Sequence, residues 1–297
     1  MAANPRPLEM VQVDVFTDRA LAGNALAVCP DGRGLSTEQM QDIARETNLS
    51  ETTFVLPGDQ TAERQKAVRV RIFTTQEELP FAGHPTLGTA FVLRGSSGSP
   101  EVRLQLNVGT VPVSFEDAPG QPAFGEMTQM EPEFVAQHDR EAVANVLGLP
   151  VSDFDPDLPI ETVSTGVPFT VAPIRKLAVL QTLRIDPVRT SQYLAQSGGK
   201  FFYFVCRETG DPSTRLHARM LFYGGEDPAT GSAAGCATAW MVAHGVSQPD
   251  ERVLIEQGVE MKRPSRIFVR ASKSDNRVVN VRVGGNVVEV MRGQMSV

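Results

Sequence analysis

The residues best placed for chemistry lie at the starts of two segments that resemble each other. His84 opens the segment HPTLGTA, and Asp227 opens the segment DPATGSA. In each segment the second residue is proline, which suits the first position of an α-helix because its missing N–H would be unpaired there anyway. Free backbone N–H groups and the helix dipole make such a start attractive to an anion. One such segment is an ordinary helix start, whereas two at matched places predict a site for a small carboxylate.

A further carboxylate could carry a proton. Glu51 opens the predicted strand ETTFVL, a position where glutamate is commonly a solvated edge residue. If Glu51 instead points into an apolar cleft near Asp227, desolvation and like charge raise its pKa and suit it to proton transfer at neutral pH. Ser50 could hydrogen-bond this carboxylate or the ligand. The matching place in the second half holds Lys200 and Phe201, so only one half supplies the carboxylate.

The remaining reactive residues predict neither a metal nor a cofactor. No HxH or HxxxH occurs, and the chain has no Walker A loop and no GxGxxG motif. The three cysteines are odd in number and widely spaced, which favours buried thiols over a disulfide framework or a zinc site. The residues set aside on these grounds are His138, His217, His244, Cys29, Cys206 and Cys236.

The predicted elements that must position these residues follow one order twice. The first half predicts strands at 11–17, 24–29, 51–56, 67–74, 102–106 and 110–115, with helices at 37–47 and 85–93. The second half predicts strands at 162–165, 169–171, 201–206, 215–222, 253–257, 267–271, 278–283 and 287–291, with helices at 188–196 and 228–244. An extra helix is predicted between the halves, at 140–147. Aligning His84 with Asp227 matches Pro, Gly and Ala, which favours an internal duplication.

The domain organisation follows from this repeat. Residues 116–122 are rich in Pro, Gly and acidic residues and predict a linker. We therefore expect an N-terminal domain at 1–116, completed by the C-terminal strand at 284–297, and a C-terminal domain at 117–283.

Composition narrows the class of protein. The chain has 297 residues, of which 41 % are hydrophobic and 21 % charged, and a net charge of −7. This is ordinary globular composition, and the acidic balance argues against nucleic acid or an acidic membrane as a partner. No run of about 18 apolar residues is present, and no apolar segment follows Met1. We expect a cytoplasmic protein.

Four segments together resemble the phenazine-biosynthesis PhzF-like family: DVFTDRALAGNALAV, ARETNLSETTFV, RIFTTQEELPFAGHPTLGTA and EDPATGSAAG. The resemblance implies the α+β fold of the diaminopimelate epimerase type. In that fold two similar domains each curl a mixed β-sheet around a central helix, and the active site lies in the cleft between them. A homodimer is also implied. The characterised family member isomerises trans-2,3-dihydro-3-hydroxyanthranilate without metal or cofactor, and a glutamate moves the proton between ring carbons.

The resemblance also assigns roles by position. Glu51 matches the proton-carrying glutamate, and His84 and Asp227 match polar residues around the substrate. The residues that match the carboxylate-binding loops and the serine beside the glutamate are Gly83, Gly231, Ser232 and Ser50. Related epimerases use two cysteines as acid and base, and the corresponding places here are predicted to hold Ala82 and Asp227, which excludes the two-thiol mechanism. The chain departs from the family at Thr75, usually proline, and in the segment YGG at 223–225.

The function predicted on these grounds is a cofactor-independent isomerase of a small carboxylate metabolite. Glu51 serves as acid and base, two helix starts hold the substrate carboxylate, and His84 and Asp227 orient the substrate. A lyase or hydratase that uses the same site remains an alternative, as does a non-catalytic protein that binds small anions. Anion binding alone would not need a proton carrier, which speaks against the second alternative. The substrate itself is not determined by the motifs.

Overall fold

The computed structural model describes residues 6–222 and 225–297, with the backbone alone at Ser96. The predicted departure at Tyr223 and Gly224, and residues 1–5, lie outside the described residues. The chain divides into two compact units: the first runs up to Met127 and includes Gly284–Val297, and the second is Thr128–Val283.

The division differs from the predicted boundary between residues 116 and 117. The segment 116–122, predicted as a linker, instead connects two strands of the first unit, β7 (Gly109–Glu116) and β8 (Phe124–Thr128). These strands pair antiparallel, with Glu116 opposite Phe124 and Val113 opposite Met127. Because β8 completes this ladder, the first unit extends to Met127.

The first unit contains the elements up to β8 and the end of the last strand of the chain. Its other elements are β1 (Pro7–Val15), β2 (Asn24–Cys29), α1 (Thr37–Thr47), β3 (Glu51–Leu56), α2 (Gln60–Gln65), β4 (Val68–Phe73), β5 (Glu78–Leu79), α3 (Gly83–Arg94) and β6 (Glu101–Leu106). A 3₁₀ turn follows α3 at Gly95–Ser97.

The second unit contains the remaining elements. They are β9 (Glu133–His138), α4 (Arg140–Leu147), a 3₁₀ turn (Val151–Asp153), β10 (Ile160–Ser164), β11 (Pro168–Pro173), α5 (Leu177–Thr182), α6 (Pro187–Ser197), β12 (Phe201–Cys206), β13 (Leu216–Phe222), β14 (Gly225–Asp227), α7 (Gly231–Ala243), β15 (Val253–Gln257) and β16 (Ser265–Ser274). The last strand, β17 (Arg277–Ser296), crosses the boundary between the units, which falls after Val283.

The same series of strand pairings occurs in both units. In the first, β1–β2 is antiparallel, β2–β3 parallel and β3–β4 antiparallel. Strand β4 then pairs antiparallel with β5 and parallel with β6, and β6–β7 is antiparallel. Strands β10 to β16 repeat these senses in the same order. Both units therefore contain a mixed sheet, as expected from the sequence.

Helices α3 and α7 are buried over most of their length. Helix α3 contacts β1, β2, β3, β6 and β7, and α7 contacts β10, β11 and β16. A helix that is apolar on all sides is typical of such a central position. Small residues allow the close approach: a Cβ at Gly88 would lie 2.7 Å from Cδ2 of Leu26. Helix α1 packs through Met40 and Ile43 against Phe54 of β3. The two central helices are the elements whose starts carry the candidate site residues.

No helix among the described residues is both long and apolar enough to cross a membrane.

Candidate active site

Helix α3 begins earlier than predicted. Its first residue is Gly83 and its N-cap is Ala82, so His84 is the second helical residue and Pro85 the third. The prediction that Pro85 starts the helix, with His84 before it, was therefore wrong. Proline fits here because none of the first four N–H groups of a helix has an intrahelical partner. The consequence is that His84 is held by regular helical backbone.

Helix α7 begins later than predicted. It starts at Gly231 with Thr230 as N-cap, whereas Asp227 is the last residue of β14. Asp227 is consequently not an N-cap residue. In the strand–helix connection Asp227 is followed by Pro228 and Ala229, both buried. The predicted helix at 228–244 included this connection because proline was assigned to the first helical position.

These helix starts change the alignment of the two halves. Gly83 and Gly231 are 148 residues apart, and so are Arg71 and Arg219. The pairing of β4 with β5 and that of β13 with β14 agree with the same spacing, since Ile72 lies opposite Leu79 and Met220 lies opposite Asp227. By this spacing His84 corresponds to Ser232, Asp227 to Leu79 and Ala82 to Thr230. The predicted correspondence of His84 with Asp227 was therefore wrong.

A bidentate Arg–Glu ion pair joins the two strands of the hairpin that precedes each central helix. Arg71 binds Glu78 through Nε–Oε1 at 2.8 Å and Nη2–Oε2 at 2.5 Å. Arg219 binds Glu226 through the same atoms at 2.8 and 2.7 Å. Bidentate pairs fix orientation as well as distance. In the second unit, the braced residue Glu226 directly precedes Asp227.

Glu51 and His84 lie side by side in the first unit. Oε2 of Glu51 is 3.3 Å from Nε2 of His84, and the two side chains are 14 % and 3 % exposed. Glu51 starts β3, where it lies opposite Leu26 of the parallel strand β2. A buried hydrogen bond of 2.7 Å between the hydroxyls of Thr53 and Thr89 ties β3 to α3. This bond joins the two elements that carry the pair and so fixes their spacing.

His84 is neutral in this environment. Burial lowers the pKa of His84 to about 3, although a hydrogen bond with the backbone of Ala25 acts in the opposite direction. Nδ2 of Asn24 lies 3.1 Å from Nδ1 of the ring. When the Asn24 amide nitrogen donates to Nδ1, the ring carries its proton on Nε2, which faces Glu51. In this orientation a neutral imidazole can donate a hydrogen bond to the Glu51 carboxylate. Because its pKa is low, the imidazole does not accept a proton that Glu51 has taken up.

The starts of both central helices lack a side-chain cap. At α1, α2, α4 and α6 the N-cap side chain accepts a hydrogen bond from the first turn; these residues are Ser36, Asp59, Asp139 and Asp186. Within the described part of the chain, neither Ala82 nor Thr230 does so. The N–H groups at Gly83 and Gly231 are thus not satisfied by an N-cap side chain, an arrangement that suits an anion.

Asp227 is held by polar neighbours in the second unit. The Thr230 hydroxyl donates to Oδ2 of Asp227 at 2.6 Å. Nε2 of Gln257 donates to the Asp227 carbonyl oxygen at 2.7 Å and to Oγ1 of Thr230 at 2.9 Å. Ser232, the second residue of α7, is buried. Asp227, Gly231 and Ser232 are thus neighbours around one helix start.

Gln129 supports the start of α7 from behind. Its Nε2 donates to the carbonyl oxygen of Gly231 at 2.9 Å, and its Oε1 accepts from Thr165 at 2.6 Å. A Cβ at Gly235 would lie 1.9 Å from Oε1 of Gln129, so only glycine leaves room for this side chain. The glycines of the segment GSAAG therefore have different uses, one at the helix start and one at a close contact.

The three cysteines and Ser50, the serine beside Glu51, differ in their exposure. All three cysteines are buried, and burial raises the pKa of Cys236 to about 11, so this thiol is not ionised at neutral pH. Ser50 is exposed, immediately before β3. Among the residues that the structure describes, no group of three His, Cys, Asp or Glu side chains could hold a metal ion.

The structure thus places each predicted site residue. Glu51, His84 and Gly83 lie together in the first unit, and Asp227, Gly231 and Ser232 lie together in the second. Sequence reasoning missed three residues that contact His84 or Asp227, namely Asn24, Thr230 and Gln257. A threonine directly before a helix start is a recognisable cap type, and Asn24 is a polar residue that opens an apolar strand. Gln257 ends an apolar strand and carries no such signal.

Solved structures with the same fold define the class first. The chain is similar to the PhzF-family phenazine biosynthesis protein of Bacillus anthracis, with a TM-score of 0.86, 26 % identity and coverage of 98 % of this chain and 100 % of the other. It also resembles a hydroxyproline epimerase of Agrobacterium vitis, with a TM-score of 0.63, 14 % identity and coverage of 98 % and 93 %. The second likeness concerns the fold alone.

Sequence relatives then define the family. Residues 13–293 match the PhzC-PhzF family, described as phenazine biosynthesis-like protein. The chain is 38 % identical to an uncharacterized isomerase of Mesorhizobium japonicum, covering 95 % of this chain and 96 % of the relative. It is 35 % identical to the trans-2,3-dihydro-3-hydroxyanthranilate isomerase of Pseudomonas chlororaphis, covering 95 % and 97 %. The chain belongs to this family, and the predicted family and enzyme class, an isomerase, are confirmed.

Proposed function

We propose that the chain isomerises a small carboxylate by moving one proton between two of its carbons, with Glu51 as the carrier. The observation that carries this proposal is the pair of Glu51 and His84. The carboxylate is largely buried and lies 3.3 Å from a neutral imidazole. A buried carboxyl group beside a neutral hydrogen-bond donor is suited to general acid–base catalysis. This geometry gives Glu51 a role beyond that of a solvated strand end.

The proposed proton transfer needs no other acid or base. The Glu51 carboxylate removes a proton from one carbon, and the electron pair of that C–H bond shifts into the carbon framework. The resulting carboxylic acid returns the proton to a second carbon, so the substrate changes its bonding but not its mass. In the proposed mechanism His84 keeps its own proton throughout and, with substrate bound, donates a hydrogen bond from Nε2 that orients Glu51 between the two positions.

The uncapped helix starts supply the proposed binding groups. The first-turn N–H groups at Gly83 and at Gly231, together with the hydroxyl of Ser232, hold the substrate carboxylate. Asp227 accepts a hydrogen bond from an amino or hydroxyl group of the substrate, and Ser50 contacts the substrate beside Glu51. In keeping with the family resemblance, we propose that both units contribute to one site, in a cleft of the diaminopimelate epimerase type.

The first substrate to test is trans-2,3-dihydro-3-hydroxyanthranilate. It combines a carboxylate with amino and hydroxyl groups, as the proposed contacts require, and it is the compound in the name of the relative from Pseudomonas chlororaphis. The homodimer and the cytoplasmic location stay predictions.

The proposal is tested with Glu51→Gln in deuterated water. In deuterated water the Glu51 carboxylic acid exchanges its proton with solvent in part of the turnovers. The wild type should therefore convert the substrate to an isomer of unchanged carbon skeleton, part of which carries solvent deuterium at the new C–H position, as read by NMR and mass spectrometry. Glu51→Gln should lower kcat by about 100- to 10,000-fold, the usual contribution of a general acid–base group. Glu46→Gln, a loss of charge at an exposed position of α1, is the matched control and should retain activity.

Two outcomes would overturn the proposal. If Glu51→Gln still exchanges deuterium at the wild-type rate, Glu51 is not the carrier. If the product has lost water, the reaction is an elimination, and the lyase alternative holds. Thermal unfolding of each variant, with and without substrate, separates lost chemistry from lost folding or lost binding.

A further inference from the structure

We propose that Thr230 and Gln257 are positioning residues that orient the Asp227 carboxylate, through the hydrogen bonds Gln257 Nε2–Thr230 Oγ1 and Thr230 Oγ1–Asp227 Oδ2. The inference rests on the proposed function, in which Asp227 contacts the substrate. It adds two residues, from the helix start and from strand β15, to the set that determines where that carboxylate points.

The directions of the hydrogen bonds that Gln257 and Thr230 make here can be assigned. Oε1 of Gln257 accepts from the backbone N–H of Thr230 at 3.2 Å and from the hydroxyl of Tyr203 at 3.0 Å. Its amide nitrogen must then donate, to the Asp227 carbonyl oxygen and to Oγ1 of Thr230. Because Oγ1 already accepts from Gln257, its single proton is directed to Oδ2 of Asp227 at 2.6 Å. The amide orientation of Gln257 thus determines the direction of the Thr230 hydroxyl.

The group is buried where polar residues are costly. Gln257 and Tyr203 are 0 % exposed, and Thr230 is 7 % exposed. Burial raises the pKa of Tyr203 further above its ordinary range, so its hydroxyl keeps its proton and donates. A buried network in which each donor has an acceptor holds one arrangement, whereas loss of a member leaves an unpaired group. Of these four residues Asp227 is the most exposed, since it is half-buried and the other three are buried.

The first unit provides an internal comparison. The registers β4–β6 and β13–β15 make Leu106 the counterpart of Gln257, and the helix starts make Ala82 the counterpart of Thr230. The counterpart of Asp227 is Leu79. The same scaffold therefore carries apolar residues at all three places when the carboxylate is missing. Apolar residues can therefore fill these places without loss of the scaffold. Thr230 and Gln257 occur in the unit that also has the Asp227 carboxylate.

The test compares Thr230→Val, which keeps the shape and removes the donor, with Thr230→Ser, which keeps the donor. The matched control is Thr238→Val. Thr238 is also buried in α7, but its hydroxyl donates to the carbonyl oxygen of Ala234. Hydrogen bonds to charged groups predict that kcat/KM falls about 10- to 100-fold in Thr230→Val, mainly through kcat. Thr230→Ser and Thr238→Val should stay within about threefold of the wild type.

Crystal structures of the same variants give a readout that does not depend on turnover. The Asp227 carboxylate should leave its position in Thr230→Val and keep it in Thr230→Ser. An unmoved carboxylate in Thr230→Val overturns the inference, as does an equal loss of activity in Thr238→Val. Failure of the proposed function is recognised separately, because it appears as retained deuterium exchange in Glu51→Gln and leaves the position of Asp227 unaffected.

Discussion

A buried histidine in the second unit should make the stability of the protein depend on pH above neutrality. His217 is 2 % exposed, and its ring nitrogens contact two carboxylates, Nδ1 with Glu256 at 2.9 Å and Nε2 with Glu260 at 3.0 Å. Arg219 lies 3.9 Å from Glu260. Burial lowers the pKa of His217, but hydrogen bonds to Glu256 and Glu260 outweigh it and raise the pKa from 6.5 to about 9. The folded chain therefore holds this imidazole in its charged form.

The size of the effect follows from the two pKa values. In the unfolded chain the imidazole titrates near 6.5, so below that pH it is charged in both states and its favourable contacts contribute fully. As the pH rises from 6.5 through 9, the unfolded chain loses the proton first, and the contribution falls. Each unit of pKa is worth about 1.4 kcal/mol, so the total loss is about 3–4 kcal/mol. The depressed pKa of Glu260 acts at acid pH and does not contribute in this range.

The assay is urea unfolding of the wild type and of His217→Gln between pH 6 and 10. Because groups that do not contact His217 titrate alike in both chains, the difference between their free energies of unfolding reports on His217 and the two carboxylates it contacts. This difference should shrink by about 3 kcal/mol across the range. NMR titration of the folded wild type gives the pKa of His217 directly. A difference that does not change with pH, or a folded pKa near 6.5, would refute the reasoning.

Two further predictions concern the candidate site. Imidazole ¹⁵N NMR should find His84 neutral down to about pH 4, with its proton on Nε2; a proton on Nδ1, bonded to the backbone of Ala25 in place of the contact with Asn24, would contradict this assignment. Gly235→Ala should lower the free energy of unfolding by about 1–3 kcal/mol, because the new Cβ collides with Gln129. Gln129→Ala in the same chain should recover part of the loss, and an unchanged urea midpoint in the single variant would argue against the close contact.

Local sequence signals predicted the elements that carry such signals. The capping box predicted α1, and both of its hydrogen bonds are present, between Ser36 and Gln39. The bounds of β2, β3 and β12 were also predicted from apolar runs between turn residues. These elements depend on interactions within a few residues of each other, and the sequence displays both partners at once.

Elements whose local sequence signals are weak were either missed or divided. The six-residue helix α2 has only its Asp59 cap as a local signal, and β9 is largely exposed and is defined by its pairing with β10. Strand β17 was predicted as two strands because Gly284 and Gly285 interrupt the apolar pattern. It is continuous, and its later part pairs with β1 from Val287 to Ser296. The hydrogen bonds between strands join backbone groups. A strand can therefore continue through glycines, which have no side chain.

The error in aligning the two halves shows what a motif alone cannot determine. His-Pro and Asp-Pro look alike as helix starts. The feature that the two units share is a proline three residues before the first helical glycine, Pro80 before Gly83 and Pro228 before Gly231. Only the helix starts and the hairpin registers distinguish the two alignments. A proline that can occupy any place in the first turn does not fix the start of a helix.

The corrected alignment gives the two units the same scaffold but different chemistry. Glu51 has Phe201 as its counterpart, since Phe54 and Phe204 take the same register opposite Arg71 and Arg219. Each candidate carboxylate therefore occurs in one unit only, with its own supporting residues beside it. A mechanism with two equivalent groups, one from each half, would need the same residue at matched positions. The proposed mechanism, with one proton carrier in the first unit and one orienting carboxylate in the second, needs the difference that the chain has.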